Sequence, residues 1–351
     1  MIKKSKIMLI IFGVVLVSVI TILAFKVLPS KNKIKEDTSL SKVRIGFPIQ
    51  SLDAAPIMIA FQNGYFKAQG LEVSLLHLQS AEGALAIGGG QDDIAAIGGS
   101  RLFGPIEKGA PVKILSYMGI MSGYLFVRPD TDIKTLKDLE GKKVSLGPAG
   151  SSRLKIKYLL EKEGVDLDKI NFIEMDKVFL PVALMEKKEI DAALIDEPAY
   201  VDKAKEFGAI VLPHWYEKKY NESPSGQSIA VNTDFLKNNE ASVTKFYQAI
   251  IQAHRFLKDN PTESADIVTK YLKDNTNGAM DIKQEVFLEQ LKNGSLRYIL
   301  WEDITPMVEL AKVSYEMKLS ERILTEEELY DLRFKGMLEQ AQKEIYGTKA
   351  N

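Results

Sequence analysis

The stretch KVSLGPAGSSRLKIKYLLEKE, residues 143–163, combines three residue patterns in one short segment. The run at 143–146 predicts a strand, and the apolar spacing at 154–163 predicts a helix. Between them, glycine, proline and serine favour a tight turn that ends in a serine helix cap. A strand that leads directly into a helix is the repeating unit of parallel α/β sheets, so this stretch sets the expected fold class.

The same alternation continues on both sides of this stretch. Upstream it predicts strands at 43–47, 72–76, 94–97 and 112–117, with helices at 54–62, 83–87 and 102–108. Around it, strands are predicted at 124–127, 170–174, 192–195 and 209–212, with helices at 136–139, 179–187 and 199–207. The remainder is mainly helical, with a stop and restart at Asn260-Pro261. The pattern therefore predicts two α/β lobes and a helical tail.

Composition narrows the chemistry of the 351-residue chain. Its 46 basic and 47 acidic side chains give a net charge of −1, so no polyanion partner such as nucleic acid is expected. The chain has no cysteine, which excludes thiol catalysis, disulfides and a lipid-anchoring cysteine. His77, His214 and His254 lack metal-ligand spacing. The sequence therefore predicts neither a metal nor a cofactor.

The first residues have a different composition from the rest. Residues 7–25 form an uncharged apolar run that would be roughly 28 Å long as a helix, close to the thickness of a bilayer core. Lysines precede this run, which predicts a cytoplasmic amino terminus and an extracytoplasmic remainder. Residues 1–28 are thus expected to be a signal anchor, with a cleaved signal peptide as the alternative. Residues 29–42 are polar and aperiodic, as suits a tether.

Four motifs follow one another along the chain: FPIQSLDAAPIMIAFQNGYFKAQGLEV, SAEGALAIGGGQDDIAAIGG, DIKTLKDLEGKKVSLGPAGSS and LMEKKEIDAALIDEPA. Together they resemble the solute-binding proteins of nitrate/sulfonate/taurine-type ABC importers, over residues 43–259. The resemblance implies the type II periplasmic-binding-protein fold, in which two doubly wound lobes are joined by two crossing strands. The crossings are expected at 124–127 and 228–232, with lobe one at 43–124 and 228–351 and lobe two at 125–227. One departure is GQDD, because the family usually has a single aspartate there.

In open parallel sheets a ligand binds at the carboxyl ends of the strands, where helix amino termini converge and attract anions. The loops at these ends supply the candidate ligand-binding residues. They are Gln50, Ser51, Asp53, Ser80, Gly99, Ser100, Arg101, Met118, Ser122, Gly123, Ser151, Ser152, Arg153 and Glu197. The alternative for these positions is local structure, with serines as helix caps and glycines as tight turns.

Charge separates the possible ligands. Arg153 follows the two serines of GPAGSS and can supply a planar fork for an oxyanion. Asp53 and Glu197 precede helix starts and either cap them or meet an amine, which would favour a zwitterion such as taurine. A heteroaromatic ligand would need stacking partners instead. The candidates for stacking are Tyr117, Tyr124, Tyr200 and Trp215, unless these rings belong to the core.

The expected function follows from the resemblance. The chain would be an extracytoplasmic, monomeric binding protein that delivers a sulfonate, taurine or nitrate-class solute to a permease and its ATPase. A binding protein for a thiamine-type pyrimidine is the alternative. Enzymes also occur on this fold, but the pyrimidine synthase branch relies on histidine and cysteine chemistry, and this chain has no cysteine. The chain is therefore expected not to be an enzyme.

Overall fold

The computed structural model describes residues 40–78, 80–121, 123–146, 151–175, 180–195, 198–212 and 226–347. The predicted anchor and tether lie outside these residues, apart from the end of the tether at 40–42. Among the described residues, no helix combines the length and apolar character needed to cross a membrane. The described residues from 40 to 347 belong to one compact unit.

Eleven strands occur in the described ranges. They are β1 (Ser41–Phe47), β2 (Leu71–His77), β3 (Ile94–Gly98), β4 (Val112–Met121), β5 (Tyr124–Val127), β6 (Lys143–Ser145), β7 (Asn171–Phe172), β8 (Ala192–Ile195), β9 (Ile210–Val211), β10 (Gly226–Asn232) and β11 (Leu296–Tyr298).

The α-helices of the described ranges lie between and after these strands. They are α1 (Ala55–Gln62), α2 (Tyr65–Ala68), α3 (Ser80–Gly88), α4 (Phe103–Glu107), α5 (Ser151–Lys162), α6 (Leu180–Glu186), α7 (Pro198–Glu206), α8 (Thr233–Asp259), α9 (Pro261–Asn275), α10 (Gln284–Lys292), α11 (Thr305–Glu316), α12 (Glu326–Leu329) and α13 (Lys335–Tyr346). Short 3₁₀ turns occur at Leu52–Ala54, Gly99–Leu102, Leu136–Leu139 and Leu167–Lys169.

The strands form two sheets with the same winding. The six-stranded sheet has the order β11-β4-β10-β3-β1-β2, and the five-stranded sheet has the order β7-β6-β8-β5-β9. In each sheet an antiparallel strand lies among the parallel ones, β10 in the first and β5 in the second, and the edge strand β11 of the first sheet is antiparallel as well. This arrangement confirms the predicted α/β class with two doubly wound sheets.

The two predicted crossing strands each lie wholly within one sheet. Residues 124–127 pair with β8 and β9 in the five-stranded sheet, while residues 228–232 pair with β3 and β4 in the six-stranded sheet. The chain therefore passes between the sheets before Tyr124 and again between Val211 and Gly226.

Apolar side chains cover both faces of the six-stranded sheet. On one face, Ile45, Ile229 and Val231 pack with α1 and α8. On the other, Ile97 and Ala230 belong to a cluster that includes residues of α11. The five-stranded sheet has a separate core around Val144, Leu160 and Leu194.

The two sheets use an aspartate in the same way just before their third parallel strand. Asp93 accepts the backbone N–H of Arg44 at 2.8 Å and pairs with its guanidinium at 2.6 Å. Asp191 accepts the backbone N–H of Lys143 at 2.9 Å and pairs with Arg128 at 3.0 Å. In GQDD, Asp93 is thus the counterpart of Asp191, and Asp92 is the additional carboxylate.

Candidate functional site

The helix that begins at Ser151 lies beside the turn that follows β3. Helix α5 contacts both the Gly99–Leu102 turn and α11. Its Leu154 is buried in the same apolar cluster as Leu102 and Met307 of the six-stranded sheet's layer. This packing brings the start of α5 next to the turn that contains Gly99, Ser100 and Arg101, so two of the predicted loop groups meet.

A third predicted group, the loop after β1, packs directly on β4. Asp53 is fully buried, and a Cβ added at Gly119 would lie 2.7 Å from both the Cβ and the carbonyl oxygen of Asp53. The hydroxyl of Tyr298 on β11 donates to the carbonyl of Leu52 at 2.6 Å and holds this turn in place. Gly119 is therefore required by close approach, because any side chain there would displace the turn.

The strand β10 carries a polar residue between these two loops. Gln227 lies opposite Gly119 on β4 and opposite Gly98 on β3. Directly opposed residues of antiparallel strands point to the same face, so Gln227 faces the side on which Asp53 covers Gly119. On that face the Arg101 side chain folds back over Gly98, with its Nε 3.8 Å from where a Cβ would stand.

Gly98, Gln227 and Gly119 are thus neighbours on three adjacent strands, with the turn at Asp53 packed over Gly119 and the Arg101 side chain folded over Gly98. We call Asp53, Gln227 and Arg101 the polar row. They lie at the carboxyl ends of β3 and β4, where the loops Gln50–Asp53 and Gly98–Leu102 begin or end. Within the part of the chain that the structure describes, the Gln227 Oε1 is buried and has no hydrogen-bond partner.

Gln227 was not among the residues predicted from sequence. The only signal for it is its place in the polar segment SPSGQS, immediately before the predicted strand at 228–232. Ser228, the next residue, points to the opposite face: a Cβ at Gly99 would lie 2.9 Å from its Oγ and 2.8 Å from Met307 Cε. Its hydroxyl is likewise buried without a partner in the described ranges.

Arg153 forms an ion pair rather than a solvated first-turn contact. Its Nη1 lies 2.8 Å from Oε2 of Glu174, the residue two positions after β7. The Arg153 side chain is only 12% exposed, whereas that of Glu174 is 71% exposed. Arg153 is therefore a mostly buried guanidinium that is held by an exposed carboxylate at the start of a helix.

The other predicted site residues are placed as follows. Ser51 is buried and Gln50 half-buried in the loop after β1; Ser51 precedes the 3₁₀ turn but makes no side-chain cap bond. Met118 is fully buried in the core, which removes it from any open surface, and Gly123 lies half-buried between β4 and β5. Ser80, Ser151 and Ser152 begin helices, but their side chains lie outside the description, as do Ser122 and Glu197 entirely.

The predicted stacking aromatics separate into core and site-edge residues. Tyr117 is buried and its hydroxyl lies 3.1 Å from that of Tyr330. Tyr200 is also buried, with its hydroxyl 3.4 Å from Met280 Sδ. Both are therefore core residues. Tyr124 is half-buried at the start of β5, and burial raises the pKa of its hydroxyl. Trp215 lies outside the described residues.

The histidines within the described ranges have structural partners. His77 Nε2 lies 2.8 Å from the hydroxyl of Tyr271. His254 is fully buried, with Nδ1 2.8 Å from the Tyr346 hydroxyl, and burial lowers its pKa to about 3, so it stays neutral. No group of three or more potential metal ligands occurs among the described residues.

Two wound α/β sheets of this topology are the fold of periplasmic binding proteins. The alkanesulfonate-binding protein SsuA of Xanthomonas axonopodis, solved with bound MOPS, superposes with a TM-score of 0.68. The match covers 83% of this chain and 98% of SsuA at 15% sequence identity.

The family model described as NMT1/THI5 like matches residues 51–264, and the chain belongs to this family. A binding protein of Brucella abortus is 24% identical over 232 residues, covering 66% of this chain and 72% of that protein. The binding protein YtlA of Bacillus subtilis is 25% identical over 248 residues, covering 68% of this chain and 72% of YtlA. The family membership confirms the resemblance noted from the four sequence motifs.

Proposed function

We propose that this protein is the extracytoplasmic solute-binding component of an ABC importer and that it binds a small anionic or zwitterionic solute. The observation that carries the proposal is the polar row at the carboxyl ends of β3 and β4, whose Arg101 lies in the turn that contacts α5. There the turn at Asp53 packs over Gly119, Gln227 lies between Gly119 and Gly98, and the Arg101 side chain folds over Gly98. Such a mixed row suits a solute with both an acidic and a donor group, as in an aminosulfonate.

The start of α5 supplies the second element of the proposed anion site. Free N–H groups at the beginning of a helix attract negative charge, and Arg153 in the first turn adds a fork of donors. In the structure Glu174 forms an ion pair with this guanidinium. The solute's anion would replace Glu174, so binding exchanges one carboxylate for another oxyanion and leaves no buried charge unpaired.

The experiment that tests this proposal is calorimetry on the full-length chain with taurine, ethanesulfonate, nitrate and a thiamine-type aminopyrimidine. Micromolar or tighter binding of a sulfonate or nitrate supports the proposal. Binding of none of these anions refutes it.

Arg153→Ala should reduce the affinity for the bound anion by about 10- to 150-fold, because a charge-assisted contact is worth roughly 1.5–3 kcal/mol. Lys162→Ala removes a positive charge from the last turn of the same helix and is the matched control. An Arg153→Ala protein with wild-type affinity would remove this residue from the site.

A second candidate is a binding protein for a pyrimidine. It is favoured by Tyr124, whose ring is half-buried at the start of β5 and lies 6.0 Å from that of Phe126. A flat heteroaromatic could stack on such a ring. In the calorimetric panel, tight binding of the aminopyrimidine with no response to the anions would favour this candidate.

The cellular context belongs to the same proposal. A solute-binding component of this kind would act as a monomer and hand its solute to a permease driven by an ATPase. Residues 1–28 would hold it at the membrane, with the folded part outside the cytoplasm. Cell fractionation tests the attachment: the protein should sediment with membranes, and a mature chain that begins after residue 25 would contradict an uncleaved anchor.

A further inference from the structure

Gln227 is a buried amide that lies between two glycines of the neighbouring strands. Its side chain is 8% exposed, and the Oε1 atom has no hydrogen-bond partner in the described ranges. Leaving a buried acceptor unsatisfied costs about 1–3 kcal/mol, so native proteins rarely do so without a reason. The two residues that flank it across the sheet, Gly98 and Gly119, have no side chains that could bond to it.

The position of Gln227 places this acceptor at the proposed solute site. β10 enters the six-stranded sheet at the carboxyl ends of β3 and β4, and Gln227 is the second residue of that strand. On one side the turn that holds Asp53 packs over Gly119 of β4, and on the other the Arg101 side chain folds over Gly98 of β3. A small solute held by this row would face the amide between two opposite charges.

We infer that Gln227 is a specificity-determining residue that selects solutes carrying an N–H or O–H donor beside their anionic group. This inference rests on the proposed function and deepens it. A plain oxyanion such as nitrate or ethanesulfonate brings only acceptors to the Oε1 atom and leaves it unsatisfied. An aminosulfonate brings an ammonium donor within the same small molecule, so its binding satisfies the amide and the anion site together.

The adjacent residue offers a matched control. Ser228 is on the same strand, is fully buried, and has an unpartnered hydroxyl in the described part of the chain. Because consecutive residues of a strand point to opposite faces, its hydroxyl lies under Gly99 and Met307 instead of in the polar row. Changing it removes an equally buried polar group without touching the proposed site.

The test measures two matched solutes, taurine and ethanesulfonate, on the full-length wild type and on Gln227→Met, Gln227→Glu and Ser228→Ala. Methionine keeps the length and volume of glutamine but has no amide. For Gln227→Met we expect the taurine Kd to rise about 5- to 150-fold, while the ethanesulfonate Kd stays within about twofold. Gln227→Glu should preserve or increase the affinity for taurine and reduce the affinity for ethanesulfonate. Ser228→Ala should change neither affinity. Unfolding midpoints of all variants show whether each is folded.

The outcomes separate the inference from the function on which it rests. If Gln227→Met loses affinity for both solutes equally, or for neither, the selective role of Gln227 is overturned and the binding function remains intact. If the wild type binds the aminopyrimidine instead, the anion proposal fails, and Gln227 is judged by the same comparison with a pyrimidine that lacks the amino group. A wild type that binds none of these compounds overturns both.

Discussion

Replacing Asp92 with asparagine should stabilise the protein at neutral pH and leave its stability unchanged in acid. Asp92 is fully buried, and within the described residues neither of its carboxylate oxygens has a hydrogen-bond partner. It packs where a side chain of Gly46 would stand: a Cβ at Gly46 would lie 2.7 Å from Asp92 Cγ. Burial raises the pKa of Asp92 to about 6; Arg44 opposes this shift and Asp93 adds to it.

The sign of the pH effect follows from this shift. A carboxyl whose pKa is higher in the folded than in the unfolded chain binds its proton more tightly when folded. Below about pH 4 the Asp92 carboxyl is protonated and causes no loss of stability. The free energy of unfolding then falls as the pH rises from about 4 through 6. A shift of about two units corresponds to roughly 3 kcal/mol, which the charged form costs the folded state at pH 8.

Asparagine carries no charge at any pH, so the variant lacks this loss. Urea unfolding should show Asp92→Asn and wild type equally stable at pH 4, with the variant more stable by up to about 3 kcal/mol at pH 8. Asp93→Asn is the control, because Asp93 is paired with Arg44 and its loss should destabilise the protein at pH 8. A variant whose advantage is the same at both pH values, or that is less stable at pH 8, would refute the reasoning.

Three further substitutions test the packing around the two sheets. Gly119→Ala should lower the free energy of unfolding by about 1–3 kcal/mol and weaken solute binding, because the added Cβ would displace the turn at Asp53. Gly104→Ala, in α4 with open space around the Cα, should instead be neutral or stabilise by up to about 1 kcal/mol in the same denaturation assay. Asp191→Ala should cost about 1–3 kcal/mol, since it leaves the mostly buried Arg128 guanidinium without this partner; a change below 0.5 kcal/mol, roughly the value for a surface pair, would count against it.

Local patterns were enough to predict most of the fold. The strands at 124–127 and 192–195 have the predicted bounds, because each is a short run of apolar residues limited on both sides by polar or turn residues. The helix at 154–163 begins three residues earlier than its apolar spacing indicates, at Ser151, because a serine-containing first turn adds no apolar signal. The predicted loops after β1 and β3 contribute to the polar row, as the rule for parallel sheets requires.

The features that were missed depend on contacts between distant parts of the chain. β11 has only three residues in a mainly helical region and is a strand because it pairs with β4, more than 170 residues earlier in the numbering. Gln227 could be identified as a candidate site residue only once its pairing with Gly98 and Gly119 was known. No local sequence pattern links these three positions. The partner of Arg153 depended in the same way on where β7 ends relative to α5.

The GQDD segment shows how the fold decides a question that the sequence leaves open. Two adjacent aspartates are chemically equal in the sequence, and either could hold the position of the single aspartate of the family. Comparison with the second sheet identifies that position. There Asp191 accepts a backbone N–H of the first parallel strand and pairs with an arginine, and in the first sheet it is Asp93 that makes both contacts. The structural role therefore belongs to Asp93, and Asp92 is left as a buried charge that the fold tolerates at a cost in stability. That asymmetry is why the two neighbouring Asp→Asn substitutions should act in opposite directions at pH 8.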